Sequence, residues 1–444
     1  MKKLTIALAV LTGMIVSCKP KEQDTGLNSG DADLSVFVSI GGSVTAGFLD
    51  DALSYEGQVN SLGYILSEQF SEVGGGTFGQ PWLPGSSLGI NLEGKTALKL
   101  GYKTDCEGVT SLSPVRLSDV ADPSLLNIPY GSTFHNYGVP HLKSTEISLV
   151  GYGDNISNPG NYNPFFYRMA ADPVTSSVLG DAMTRNPTFF SVFVGMDEVL
   201  QYAKKGAAVG SLTPVNGADG VGFDGSIDNL LSTLTSNGAK GVVGTIPDVT
   251  EMPYFTTIPY NGLDLDEESA TTLNEIYNPI GINFNVGKNP FVIEDPSAGV
   301  FGVRLMEEGE LILLNVPLDS VKCYKMGSVF PFRNEFILTN QEIGEIRNRT
   351  TQYNAVLVSE AQSRGLAVAD VESFYSKITD GFVYNGITMS ARFVSGGAYS
   401  LDGIHLNPRG NALLANEFIK AVNETYNAKI PFADATKYRG IIFP

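Results

Sequence analysis

The sequence predicts an α/β fold in which helices cover a parallel sheet. Two observations predict it: short apolar runs typical of buried strands recur along the chain, and segments with helical spacing separate them. Parallel strands need a long connection between them, usually a helix, so this alternation favours a parallel sheet. The predicted strands are residues 36–40, 134–139, 188–194, 241–246 and 366–371.

The first eighteen residues have the pattern of an export signal. Lys2 and Lys3 precede a short apolar run over residues 4–16, shorter than the roughly 20 residues that a membrane-spanning helix needs. Cys18 follows a small residue where cleavage is expected, and this end resembles the lipobox of bacterial lipoproteins, which implies lipid attachment to Cys18. The alternative is an ordinary signal peptide with an incidental cysteine. Residues 19–33 are polar and turn-rich, as in a flexible tether, so we expect an exported protein that is lipid-anchored in the bacterial cell envelope, at the outer membrane or cell surface.

One main domain is predicted over residues 34–444. Two stretches, 71–130 and 251–338, interrupt the alternation of strands and helices and are too long for ordinary connections. We interpret them as insertions that shape the rim of a cleft, the second with a small sheet of its own.

Several helices carry clear end signals. Thr339 and Glu342 have the spacing of a capping box, which predicts a helix that runs on to Gly365. Asn407 and Pro408 predict the start of the last helix, because proline is favoured at the first helical position.

A serine stands at the end of the first predicted strand. Gly41 and Gly42 break the apolar run and allow a sharp turn, so Ser43 would be exposed at the strand tip before the next helix. Functional groups of parallel sheets collect at the carboxyl ends of the strands, and this is therefore a nucleophile's position. The turn lacks the Gly-x-Ser-x-Gly pattern of a nucleophile elbow, which is the strand-to-helix turn of one common serine hydrolase fold.

A serine hydroxyl needs a base to become a good nucleophile, and histidine is the usual one. The chain has three histidines, and His405 lies three residues after Asp402, just before the last predicted helix. A carboxylate at that spacing can accept the Nδ1 proton and leave Nε2 facing the serine. Ser43, His405 and Asp402 are therefore the candidate catalytic residues.

These two blocks together resemble the SGNH, or GDSL-type, lipase and acylhydrolase family. The segments "IGGSVTAGFLD" and "LDGIHLNPRGNALLANEFI" look particularly like its lipoprotein members from Bacteroidetes-type bacteria. The resemblance covers residues 34–422 and is loose in both insertions. It implies a flavodoxin-like three-layer fold and ester hydrolysis through an acyl-enzyme, with Ser43 as nucleophile, His405 as general base and then acid, and Asp402 as the orienting carboxylate.

The resemblance also implies an oxyanion hole, and this sequence departs from the family there. The candidate donors are Ser43 itself, His141 or the nearby Gly138 where the family has a glycine, and Asp197 where the family has an asparagine. An ionised carboxylate at Asp197 has no proton to donate and would repel the developing charge, whereas a protonated one would still donate. Losing one such donor typically costs about 2.7 to 4 kcal/mol.

Two functional classes stay open. The first is a serine esterase whose activity is attenuated by Asp197, acting on an acyl lipid, an acetylated glycan or a small ester. The second is a catalytically weak or inactive surface lipoprotein that binds a lipid or glycan in the retained cleft.

Charge and cysteine content limit which partners, cofactors and cross-links the sequence predicts. With a formal net charge of −18 and no basic cluster, the chain would repel nucleic acid, so none is expected as a partner. No histidine and cysteine spacing suggests a metal, and no cofactor is expected. After Cys18, the remaining Cys106 and Cys323 either pair as a disulfide or stay as free thiols.

Overall fold

A central sheet of five parallel strands organises the protein. In this computed structural model, which describes residues 26–126, 134–156 and 158–444, helices flank the sheet. The strands are, in spatial order, Ala367–Ala369, Lys240–Gly244, Phe189–Phe193, Phe37–Gly41 and Asn136–Gly138. All four neighbouring pairs are parallel.

The five strands coincide with the five predicted ones, so the predicted parallel sheet is confirmed. Counted along the chain, their spatial order is 2-1-3-4-5, which is the order of flavodoxin-like doubly wound sheets. The order changes direction between the first and third strands, Phe37–Gly41 and Phe189–Phe193. Ligands of open α/β sheets bind outside the carboxyl ends of the strands at such a point.

Helices pack on the sheet through their apolar sides. Leu62–Ser71 and Pro408–Tyr426 contact each other and the sheet, and Phe223–Thr235 contacts Asn340–Ser363, which also lies against the sheet. The remaining α-helices of the described residues are Ser43–Ala46, Tyr55–Val59, Pro164–Tyr167, Val178–Met183, Met196–Ala203, Pro253–Thr256, Glu267–Tyr277, Leu318–Cys323 and Val371–Asp380.

Aromatic rings fill the space between the sheet and one helix pair. Phe189 contacts Phe70 and Tyr426 edge-on, and Phe193 contacts Phe418 in the same way. All five side chains are buried, so this layer is a continuous part of the main core. Edge-to-face pairs of this kind add about 0.5 to 1.5 kcal/mol each beyond the area that they bury.

The predicted helix ends are confirmed. Thr339 accepts from the Glu342 backbone N–H and the Glu342 carboxylate accepts from the Thr339 N–H, which completes the capping box at the start of Asn340–Ser363. Asn407 caps the last helix by accepting from the Gly410 N–H. These caps satisfy backbone donors that the first helical turn leaves without partners.

Both insertions form small antiparallel units. The first contains the hairpin Leu98–Thr104 with Thr110–Arg116, which the sequence analysis missed. The second, where the sequence predicts one small sheet, contains three separate two-stranded pieces and two small apolar clusters apart from the main core. A disulfide between Cys106 and Cys323 joins the two insertions. The other hairpins are Phe48–Leu49 with Ala52–Leu53 and Phe382–Tyr384 with Ile387–Met389.

The amino-terminal predictions fall largely outside the described residues. The export signal, Cys18 and residues 19–25 are not among them. Within the predicted tether, the Asp31 N–H donates to the Tyr426 carbonyl at 2.7 Å and Ala32 is buried in the main core. No helix in the described part of the chain has the length and apolar character needed to cross a membrane.

Candidate active site

Ser43 lies at the switch point of the sheet. The first strand ends at Gly41, and Ser43 begins the short helix Ser43–Ala46 directly after Gly42. The neighbouring strand Phe189–Phe193 leads, through Gly195 at φ +95°, into the helix that carries Asp197. The two residues therefore meet where the architecture places ligands.

Asp402 and His405 form a buried pair on the loop before the last helix. His405 Nδ1 lies 2.8 Å from Asp402 Oδ2, and Asp402 Oδ1 accepts from the backbone N–H groups of His405 and Ile404. The Asp51 N–H donates to Oδ2 at 3.0 Å. Burial by itself would raise the pKa of Asp402, but the His405 charge and these hydrogen bonds lower it well below its usual range. Asp402 therefore stays ionised and holds the imidazole in one orientation.

His405 lies in the same cluster as Ser43. The Phe48 ring contacts both His405 and His141, with its centroid 5.2 Å from each imidazole. His141 donates its backbone N–H to Ser43 Oγ at 3.2 Å. His405 Nε2 is buried and has no hydrogen-bond partner among the described residues. No hydrogen bond therefore joins Ser43 to His405 Nε2 in the described structure.

Asp197 occupies the space beside the turn from Gly42 into Ser43. A Cβ on Gly42 would lie 2.3 Å from Asp197 Oδ2, so the glycine leaves the room that this carboxylate fills. Burial raises the pKa of Asp197 to about 6, against the opposing effects of His405, Gln201 and the Ser43 backbone N–H. At pH 7 the group is therefore mostly an acceptor, and it competes for the N–H of Ser43.

The other candidate oxyanion donors differ in availability. The Gly138 N–H already donates to Asn136 Oδ1 at 2.8 Å. A Cβ at Gly138 would lie 2.3 Å from the Ala46 nitrogen, so this glycine allows close packing under the helix Ser43–Ala46. The His141 N–H points instead at Ser43 Oγ, from a backbone with φ +66°. His141 is thus the better placed of the two alternatives.

Two residues near the site were missed by the sequence analysis. Gln201 Nε2 lies 2.9 Å from His141 Nδ1 and 3.3 Å from Asp197 Oδ1. Its spacing of four from Asp197 on a helix was a usable signal, because such residues are neighbours on the helix surface. Glu198 is buried, accepts from the Ser144 N–H, and has its pKa raised by burial to about 7.

The candidate catalytic side chains are almost fully buried. Ser43 and His405 are only 3% and 4% exposed. A cavity of about 840 Å³ lies beside Asp50, between the Leu98–Arg116 hairpin and residues 439–444, and neither Ser43 nor His405 lines it.

Within the described residues, no group of three or more histidine, cysteine, aspartate or glutamate side chains has the arrangement of a metal site. The carboxylates at the site instead have backbone N–H, glutamine and imidazole partners.

Comparison with known proteins identifies no family for this chain. No protein-family model matches the sequence, and no curated protein matches it. Among solved structures, it is similar to LAE5, an alpha/beta hydrolase enzyme from the metagenome of Lake Arreo, Spain, over 88% of this chain and 96% of that chain. The identity is 10% and the TM-score 0.35, a similarity too low to support any argument about function.

Proposed function

We propose that the protein is a serine hydrolase of the SGNH type that cleaves carboxylic esters through an acyl-enzyme. The observation that carries the proposal is the convergence of Ser43 with the Asp402 and His405 pair at the switch point of a flavodoxin-ordered sheet. Ser43 comes from near the start of the chain and the Asp402 and His405 pair from near its end, and their approach to the same Phe48 and His141 cluster supports the roles of nucleophile, base and orienting acid.

In the proposed reaction, Ser43 Oγ attacks the ester carbonyl carbon as its proton passes to His405 Nε2. The carbonyl electron pair moves onto the oxygen, and the resulting charge needs hydrogen-bond donors. Collapse of the intermediate breaks the carbon to oxygen bond, and His405 gives its proton to the leaving alcohol. Water then hydrolyses the acyl-Ser43 ester by the same steps in reverse order.

The presence of Asp197 supports an activity lower than that of an enzyme with a complete oxyanion hole. Its carboxylate has no proton to give when ionised, and it competes for the Ser43 N–H, which would otherwise face the oxyanion. The same observation, together with the buried Ser43, favours the second candidate, a weakly active or inactive lipoprotein that binds a lipid or glycan.

Ester hydrolysis by the soluble form that lacks residues 1–18 separates the two candidates. We expect hydrolysis of p-nitrophenyl acetate or a longer-chain ester by the wild type and only background rates with Ser43→Ala. Ser144→Ala is the matched control, because Ser144 is a nearby buried serine whose hydroxyl has no partner among the described residues. Equal rates in the wild type and Ser43→Ala would favour the binding protein.

We further propose export and lipid attachment at Cys18, on the pattern of the first eighteen residues alone. Cells that express the full chain should incorporate labelled fatty acid into the wild type and not into Cys18→Ser. Equal labelling of both would exclude this attachment site.

A further inference from the structure

The side chain of His141 has contacts in the candidate site in addition to the contact of its backbone N–H with Ser43. Its N–H reaches Ser43 Oγ at 3.2 Å, and its ring contacts Phe48, whose ring also contacts His405. Gln201 Nε2 lies 2.9 Å from Nδ1. Nδ1 therefore has a hydrogen-bond partner, whereas Nε2 has none among the described residues.

Gln201 determines which nitrogen carries the proton. An amide nitrogen only donates, so Nδ1 accepts and a neutral ring must be protonated on Nε2. The ring is neutral at pH 7, because burial lowers the pKa of His141 to about 3, with help from the charges of Lys204 and His405. The free ring nitrogen is therefore an N–H donor.

Asp197 orients Gln201. Gln201 Nε2 lies 3.3 Å from Asp197 Oδ1, so the two amide hydrogens serve Asp197 and His141 respectively. A carboxylate accepts only, and this excludes the reversed amide in which the oxygen of Gln201 would face Asp197. An ionised Asp197 thus sets the amide, and the amide sets the tautomer of His141.

We propose that His141 donates twice to the oxyanion, from its backbone N–H and from its Nε2–H, with Gln201 and Asp197 as positioning residues. This inference rests on the proposed function and deepens it: the carboxylate that removes one donor supplies another through two hydrogen bonds. The proton inventory balances, because Ser43 gives its proton to His405 while His141 keeps both of its own throughout.

His141→Gly tests the side chain alone. Glycine keeps the backbone N–H and accepts the φ of +66° without strain. Removing one oxyanion donor typically lowers kcat by about 100- to 1000-fold. We expect a loss of that size with KM nearly unchanged, because the oxyanion exists only in the transition state. Gln201→Glu should also lower kcat, since a carboxylate accepts from Nδ1–H and reverses the tautomer.

A double variant distinguishes a lost donor from a damaged fold. An asparagine at position 197 carries its own N–H beside Ser43. Adding Asp197→Asn to His141→Gly should therefore give a kcat at least tenfold higher than that of His141→Gly alone. The tautomer has an independent readout, because ¹⁵N spectra of a chain with three histidines can be assigned by substitution. We expect His141 to be neutral with Nε2–H between pH 7 and 8, where Asp197 is mostly ionised.

The outcomes separate the two proposals. If the wild type is no faster than Ser43→Ala, the proposed function and this inference both fall. If the wild type is faster than Ser43→Ala but His141→Gly matches the wild type, only this inference falls. An Nδ1–H tautomer of His141 would overturn it as well, whatever the rates.

Discussion

The buried carboxylate of Asp197 should weaken the fold as the pH rises. Burial raises its pKa from 3.8 to about 6. In this interval the native state holds a proton that the unfolded chain has released, so the free energy of unfolding falls with increasing pH. A difference of about two pKa units, at about 1.4 kcal/mol each, amounts to about 3 kcal/mol by pH 7.5.

Asp197→Asn removes this contribution. We therefore expect the free energy of unfolding of the variant, measured relative to the wild type, to increase by about 2 to 3 kcal/mol between pH 4 and pH 7.5. Urea unfolding followed through the single Trp82 at several pH values gives this difference directly, and an unchanged m-value would show that both states keep their compactness.

Asp295→Asn is the control for the introduction of an asparagine. Hydrogen bonds from Ser297 and Arg304 lower the pKa of Asp295 to about 2, so above pH 4 it is ionised in both states. Its effect on stability should be constant over the same range. A flat difference for Asp197→Asn, or one that decreases towards pH 7.5, would show that the partners of this carboxylate outweigh its desolvation and would refute the reasoning.

Two further predictions concern the fold around the site. Replacing Cys106 and Cys323 by serine opens a link across 217 residues of sequence, and we expect the free energy of unfolding to fall by up to about 5 kcal/mol; an unchanged urea midpoint after reduction would contradict this. Gly138→Ala places a Cβ against the backbone of Ala46 and should destabilise the protein by about 1 to 3 kcal/mol while slowing hydrolysis. Gly344→Ala, where a Cβ meets open space on a helix, should stabilise it by about 0.5 to 1 kcal/mol, and equal effects of the two changes would exclude the packing role of Gly138.

The sequence by itself determined the elements whose signals are local. Five apolar runs became the five central strands, and the capping box at Thr339 and Glu342 formed as expected. Asp402 and His405 also belong here, because three residues of one loop are enough to bring an imidazole onto a carboxylate. Such features depend on neighbouring residues, so the pattern of the chain contains most of what decides them.

A local signal can still be hidden by composition. In this hairpin Leu98–Thr104 alternates, with Leu98, Leu100 and Tyr102 at every second position, but Thr110–Arg116 does not. Both strands also lie in a stretch rich in glycine, serine and proline, which favours the prediction of loops. Cys106 lies in the turn of this hairpin, and its partner is more than two hundred residues away. Its pairing with Cys323 was therefore one of two open alternatives.

Only the tertiary structure decided the chemistry around Ser43. Strand order places the turn at Gly42 and Ser43 beside Asp197, and long-range packing brings His405 to the same Phe48 ring as His141. The raised pKa of Asp197 and the bond from Gln201 to His141 follow from burial, which no single segment of sequence controls. Desolvation and hydrogen-bond direction are properties of a packed environment, and that environment is assembled from residues distant in the chain.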